Sequence, residues 1–277
     1  MGRKKMTSQE NTSRRLVIVT GDKGGVGKST FARGLLQAWI DEQQDFVAFD
    51  ADVSNPQIKR FYSNECTIEP LNIFKRGQTD IFLQGLGKYI FTPDKSIEDG
   101  ETGKVVFSSK SLFLLELPPQ SSNILKDFVQ DMDLFETIKN IYQMRVTMVV
   151  VISRTLDSVN QFVNLYSYCQ NNVDYIVVKN IFFGEDNEFS RYNNSEIIQK
   201  IKSDSANKQY IHEICMPDLI EHAYDYLDQQ SYSFAKGIQQ NDLIAVKGRV
   251  TAWLRKFKDS IKPVRHLLGL PNSDAAK

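Results

Sequence analysis

Apolar positions along this chain follow two alternating patterns. Short dense runs, Arg15-Leu16-Val17-Ile18-Val19-Thr20, Phe46-Val47-Ala48-Phe49, Ser111-Leu112-Phe113-Leu114-Leu115, Val146-Thr147-Met148-Val149-Val150-Val151-Ile152 and Tyr175-Ile176-Val177-Val178, read as buried strands. Gln209-Tyr210-Ile211 is a shorter run of the same kind. Between them lie helix-length stretches. The first begins at Ser29 and places Phe31, Leu35, Leu36, Trp39 and Ile40 on one face, and others cover 55–61, 79–88, 122–141, 156–170 and 195–202. Strands alternating with helices predict right-handed βαβ crossovers. The expected fold class is therefore α/β, a doubly wound, mostly parallel sheet with helices on both faces. The stretch 92–103 is charged and turn-rich and predicts a surface loop.

Composition narrows this picture. A chain of 277 residues, 41% hydrophobic and 25% charged, accommodates one large domain with a substantial core. No internal repeat and no Pro/Gly/Ser linker divides it. The domain is expected over 14–262, with a disordered basic leader at 1–13 and a flexible tail at 263–277. Lysine plus arginine and aspartate plus glutamate are balanced at 34 each, so affinity for nucleic acid or membrane must come from a local patch. Cys66, Cys169 and Cys215 are far apart and read as reduced residues of a cytoplasmic protein. His212, His222 and His266 show no metal-ligand spacing. No apolar run reaches the roughly 20 residues that span a bilayer, and 1–13 lacks the apolar centre of a secretory signal.

The first strand run leads into Lys23-Gly24-Gly25-Val26-Gly27-Lys28-Ser29-Thr30, which opens a helix. Strand, glycine-rich loop and helix form the context that phosphate binding needs. Glycines let backbone N–H groups approach the phosphates, and the helix N-terminus adds partial positive charge. Lys28 is expected on the β- and γ-phosphates and the Ser29 hydroxyl on Mg²⁺. A strict Walker A pattern has glycine where Asp22 stands, and this loop carries a second lysine, Lys23, before Gly24-Gly25.

With that second lysine the loop resembles the deviant Walker A box of the ParA/MinD ATPases, a branch of the P-loop NTPases. The resemblance implies an ATP-dependent homodimer in which Lys23 reaches the partner's phosphates, with ATP and Mg²⁺ as cofactors. Asp50-Ala51-Asp52, at the end of the second strand run, corresponds to the family's first switch, implying that Asp52 orients the attacking water and Asp50 supports the Mg²⁺ shell. A purely structural capping role for the two aspartates is the competing reading. Leu114-Leu115-Glu116-Leu117-Pro118-Pro119 resembles the Walker B and second-switch segment, with Glu116 where the family usually has aspartate. Glu116 is thus an outer Mg²⁺-shell candidate one methylene longer than usual, which puts the hydrolysis rate in question. Asn180, closing Val177-Val178-Lys179-Asn180, resembles the residue whose amide reads adenine, and Met216-Pro217-Asp218 resembles the loop closing over the base, with Pro217 as its contact. No N-K-x-D motif favours guanine. Asp50-Ala51-Asp52-Val53-Ser54-Asn55-Pro56 followed by Leu71-Asn72-Ile73 looks most like the TraL-type conjugal-transfer and mobilisation branch.

Between 247 and 265 the chain carries Lys247, Arg249, Arg255, Lys256, Lys258, Lys262 and Arg265 against the single acid Asp259. Val250, Trp253, Leu254, Phe257 and Ile261 form one apolar stripe, and Pro263 ends or kinks the helix. Three readings stand together: a terminal helix packed on the sheet, a basic face for nonspecific DNA, or a membrane-surface helix extended by 264–270. The function expected is a slow, Mg-ATP-dependent dimerising ATPase that acts as a switch in plasmid partition, mobilisation or cargo positioning, with a protein partner stimulating turnover. The rival readings are an ATP-dependent ligase of the dethiobiotin or cobyrinate synthase type and a non-hydrolysing nucleotide-binding scaffold.

Overall fold

The computed structural model describes residues 14–21, 23–91, 97–98, 105–106, 110–204 and 209–272. The expected leader at 1–13 lies outside them. In chain order the elements are β1 (Arg14–Thr20), α1 (Lys28–Asp41), β2 (Phe46–Asp50), α2 (Gln57–Tyr62), β3 (Ile68–Pro70), α3 (Gln78–Phe91), β4 (Ile97–Glu98), β5 (Val105–Val106) and β6 (Leu112–Glu116). They continue with α4 (Ser122–Asp131), α5 (Leu134–Tyr142), β7 (Met144–Ile152), α6 (Leu156–Cys169), β8 (Asp174–Asn180), α7 (Ser190–Asn193), α8 (Glu196–Ser203) and β9 (Ile211–Met216). The last are α9 (Glu221–Gln230), α10 (Phe234–Ile238) and α11 (Ile244–Ser260), followed by a 3₁₀ segment, Lys262–Leu268.

Seven strands form one sheet in the order β3-β2-β6-β1-β7-β8-β9, and every pairing in it is parallel. β4 and β5 pair separately as an antiparallel ribbon within and just beyond the expected surface loop. The unbroken apolar runs of β2 and β6 have every residue buried, as a strand covered on both faces requires. β9 at the edge has only two buried positions, which is why its mixed sequence Ile211-His212-Glu213-Ile214-Cys215-Met216 disguised it. One apolar cluster, including Phe82, Phe128 and Phe162, fills the face covered by α3 to α6. The other, including Phe31, Trp39, Trp253 and Phe257, fills the face covered by α1, α2 and α9 to α11.

Two expectations about helices change. The stretch 122–141 is two helices, because Asp133 adopts a left-handed conformation (φ 45°) and begins α5 as its cap. The expected flexible tail from Pro263 is instead packed as far as Leu270. Val264, Leu267, Leu268 and Leu270 are buried, Trp39 Nε1 donates to the Leu268 carbonyl at 2.9 Å, and the Thr147 hydroxyl donates to the Leu267 carbonyl at 2.6 Å. These interior partners remove 264–270 from service as a membrane anchor. No helix among the described residues is long and apolar enough to cross a membrane.

α11 resolves the three readings of the basic helix in favour of packing for its apolar stripe: Val250, Trp253, Leu254, Phe257 and the following Ile261 are all buried. The Phe257 ring lies so close to Gly34 of α1 that a Cβ there would meet it at 2.9 Å. Several of the cations are spent on neighbours. Lys258 pairs with Asp41 at 2.6 Å, Lys262 with Asp259 at 2.7 Å, and Arg265 grips both oxygens of Glu42 at 3.0 and 2.6 Å. Arg249, Arg255 and Lys256 remain exposed.

α1 is the element that touches most of this face. Its residues Ser29, Arg33, Gln37 and Asp41, spaced by one helical turn, form a polar stripe. Gln37 accepts from the Tyr62 hydroxyl at 3.1 Å and from the Ala235 N–H at 3.0 Å, and donates to Asp41 at 2.8 Å. The Arg33 guanidinium is 1% exposed, sits 3.6 Å from the centre of the Phe61 ring and 5.0 Å from that of Phe234, and its Nε and Nη2 have no hydrogen-bond acceptor. Burial holds its pKa below the ordinary arginine value.

Candidate functional site

The loop between β1 and α1 lies at the carboxyl end of the central strand. β1 is flanked by β6, which returns toward β2, and by β7, which begins the other wing. That reversal in strand order is where open parallel sheets bind ligands. Gly25 (φ 77°) and Gly27 (φ 104°) take left-handed conformations that side chains resist. Gly27 begins α1 as its N-cap, no side chain caps the helix and its first turn contains no acid. The first N–H groups of α1 therefore lack a competing side-chain acceptor, as an anion site at a helix N-terminus needs. Lys28 is buried, with its ammonium 3.4 Å from the Lys23 carbonyl.

The Ser29 hydroxyl donates to Glu116 Oε1 at 2.5 Å. Glu116 is 2% exposed and its other oxygen, Oε2, is buried without a hydrogen-bond partner. Burial pushes its carboxyl pKa up to about 8, the Ser29 bond opposes that, and the nearby Asp50 carboxylate adds to it. Asp50 is the register partner of Glu116 on the neighbouring strand. Its carboxyl is raised to about 6, again chiefly by burial. Both Asp50 oxygens accept backbone N–H groups, Oδ1 from Asp52 at 3.2 Å and Oδ2 from Lys59 at 2.9 Å, so this side chain pins the segment leading into α2. Asp52 Oδ1 accepts from the Ser54 hydroxyl at 2.7 Å and the Asn55 N–H at 3.1 Å, closing a tight turn. Capping thus occupies Asp50 on both oxygens and Asp52 on Oδ1.

Two clefts flank the loop. The first, of about 510 Å³, is lined by Gly25, Gly27, Lys28, Ser29 and Thr30 on one side and by Asn180, Phe182, Pro217 and α9 residues on the other. It brings the phosphate-loop candidates together with Asn180 and Pro217, which are more than 140 residues away in sequence. Asn180 Nδ2 donates to the Val26 carbonyl at 2.9 Å, while its Oδ1 accepts the Phe182 N–H at 3.1 Å. The Pro217 carbonyl accepts from Trp253 Nε1 at 2.7 Å, which ties this loop to α11. The second cleft, of about 560 Å³, contains Lys23, Gly24, Gly25 and Val26 with Ser153, Arg154, Thr155 and Arg191. Lys23 is half exposed and 3.9 Å from the exposed Asp157, a weak contact easily exchanged. Asp52 lines neither cleft as described.

Gln57, Phe182, Glu221, Tyr224 and Asp225, which the sequence did not single out, also line the first cleft, as does Asn55 from the segment that resembles the TraL-type branch. The spacing of Glu221, Tyr224 and Asp225, one face of a short helix after Pro217, was the available signal. Among the described residues no group of three or more His, Cys, Asp or Glu side chains is arranged to hold a metal ion. The donors that fit Mg²⁺ are hard oxygens, the Ser29 hydroxyl and the Glu116 carboxyl with its unpartnered Oε2. A bound Mg²⁺ would supply positive charge to phosphate oxygens.

A parallel doubly wound sheet with a glycine loop feeding an uncapped helix defines a phosphate-loop nucleotide-binding protein. Residues 17–242 match the CobQ/CobB/MinD/ParA nucleotide binding domain, and the chain belongs to that family. It is 20% identical over 251 residues to Protein MobD of Acidithiobacillus ferrooxidans, covering 91% of this chain and 98% of that one. Similar solved structures include a nucleotide-binding protein in complex with ADP from Archaeoglobus fulgidus (18% identity, 79% of this chain and 86% of that one, TM-score 0.43). A plasmid partition protein from Borrelia burgdorferi is also similar (12% identity, 88% and 99%, TM-score 0.38). So is the MinC:MinD cell division protein complex of Aquifex aeolicus (14% identity, 89% and 96%, TM-score 0.36).

Proposed function

We propose that this protein is a Mg-ATP-dependent ATPase that dimerises around its nucleotide and acts as a switch in plasmid partition, mobilisation or cargo positioning. The observation that carries the reading is the loop itself. Gly25, Gly27, Lys28, Ser29 and Thr30 line one cleft at the open turn of α1, while Lys23 lines the other. In that arrangement the first cleft takes the chain's own ATP and the second faces a partner. Lys28 and the α1 N–H groups hold the phosphates, and Ser29 and Glu116 hold Mg²⁺. Lys23 exchanges Asp157 for the partner's phosphates, and Asp52 orients water once its segment closes on the nucleotide. The resemblance of Asp50-Ala51-Asp52-Val53-Ser54-Asn55-Pro56 and Leu71-Asn72-Ile73 to the TraL-type branch supports the mobilisation arm. The exposed Arg249, Arg255 and Lys256 are the residues left to meet DNA.

The test is phosphate release from ATP and GTP, with and without nonspecific DNA, beside a nucleotide titration of Lys28→Ala. ATP-specific turnover that DNA or a partner raises, with binding lost in Lys28→Ala, is the expected result. Unchanged affinity in that variant sinks the phosphate-loop assignment.

Glu116, one methylene longer than the aspartate the family usually has there, favours a second reading, a nucleotide-binding scaffold without hydrolysis. Binding without phosphate release under every condition would select it.

A further inference from the structure

We infer that Phe182 is the residue on which the nucleotide base stacks, and that Asn180 is the positioning residue that sets this ring against the phosphate loop. The inference rests on the nucleotide reading of the first cleft and names its base-recognition element.

Phe182 lies in a single 3₁₀ turn, Ile181–Phe183, directly after β8. Phe182 is 64% exposed although it lines the cleft that contains Lys28 and Ser29. The described ring contact is to Phe183, T-shaped at 5.2 Å, and most of the Phe182 surface stands outside the apolar core. An aromatic ring kept out of the core beside a phosphate site offers what a base needs, a flat apolar partner in the same cleft as the helix N-terminus.

Asn180 fixes where that ring stands. The same amide donates to the Val26 carbonyl in the loop and accepts the Phe182 N–H in the turn, at 2.9 and 3.1 Å. One donor and one acceptor of the amide are thereby committed to the protein. Gly27 presses against this joint, since a Cβ there would come within 2.4 Å of Asn180 Nδ2. The amide is therefore a strut between loop and turn, and the ring it carries does the stacking. Stacking tolerates any base with a π-face, so this element strengthens binding of purines generally.

The test compares Mg²⁺-loaded wild type, Phe182→Ala, Phe182→Trp and Asn180→Ala by calorimetric titration with ATP, GTP and inorganic tripolyphosphate. Phe182→Ala is expected to weaken ATP and GTP alike by about 5- to 150-fold and to leave tripolyphosphate within about twofold. Phe182→Trp should retain ATP affinity and show indole quenching on addition of ATP. Asn180→Ala should weaken all three ligands, because it releases the loop as well as the turn. ATP affinity unchanged in Phe182→Ala overturns the inference, including when only self-association of the chain falls. Wild type that binds ATP no better than tripolyphosphate also overturns it while leaving the phosphate loop intact. Wild type that binds neither overturns the nucleotide reading itself and this inference with it.

Discussion

The Ser29 hydroxyl and Glu116 Oε1 meet at 2.5 Å, joining the first turn of α1 to the end of β6, and the second Glu116 oxygen is left buried without a partner. In the unfolded chain this carboxyl titrates near 4.5, and in the fold at about 8. Between those values the folded protein holds a proton that the unfolded chain has lost. Stability is therefore full below the lower value and falls as pH rises through the window. Glu116→Gln should flatten the upper part of that fall, read as thermal midpoints of the nucleotide-free protein in chelator from about pH 5 to about pH 8. Asp50, raised to about 6, acts with the same sign and keeps a slope below that value in the variant. An undiminished fall above pH 6 in Glu116→Gln would rule out this account.

Gly27→Ala is expected to be damaging where Gly24→Ala is tolerated by the fold. Gly27 combines φ 104° with a Cβ position 2.4 Å from Asn180 Nδ2 and 3.0 Å from Met216 Cε, whereas a Cβ at Gly24 meets nothing within 4 Å. Backbone strain alone costs about 1–3 kcal/mol, and displacement of Asn180 adds to it. Urea denaturation of both variants separates them, and equal midpoints would contradict the geometry.

Arg33→Met should raise the thermal midpoint. The guanidinium is fully buried with two unpartnered nitrogens, and its compensation comes from the faces of Phe61 and Phe234. Replacing buried charge by a well-packed apolar chain is often neutral or stabilising by about 1–4 kcal/mol. Arg33→Ala should lower the midpoint instead, because it leaves a void between the rings. A lower midpoint for the methionine variant would show that ring stacking outweighs the desolvation of the cation.

Leu268→Ala should cost about 2–5 kcal/mol in a denaturant titration, the range for truncating a buried leucine. Leu268 is 0% exposed and its carbonyl accepts from Trp39. A change near zero would mean that the segment after Pro263 is not held in the core.

The sheet was legible because its inner strands are covered on both faces and so read as unbroken apolar runs. β3 and β9 were missed or misplaced because they are edges. Pro70 ends one after three residues, and His212 and Glu213 break the apolar pattern of the other. The phosphate loop was legible because its chemistry lies in consecutive residues. The far wall of the cleft was not, since Phe182, Tyr224 and Asp225 acquire meaning only when β8 and α9 are brought beside α1. Asn180 was singled out by its position at a strand end, and its hydrogen bonds join the loop to the turn after β8. Val264, Leu267 and Leu268 looked like a tail because Pro263 ends the helix. Their burial depends on Trp39 and Thr147, more than 100 residues earlier.

α1 behaves as an axle through one side of the molecule. Its 14 residues span roughly 21 Å. At its head Ser29 touches Glu116, at mid-length Arg33 and Gln37 grip α2 and α10, and at its foot Asp41 holds α11 through Lys258. Gly34 lies flush against Phe257 along the way, with no slack between the helices. In an interior packed this tightly, a small tilt at the head is not absorbed locally. One rigid helix therefore joins the glycine loop at its head to the Asp41–Lys258 pair at its foot, and whatever holds one end holds the other.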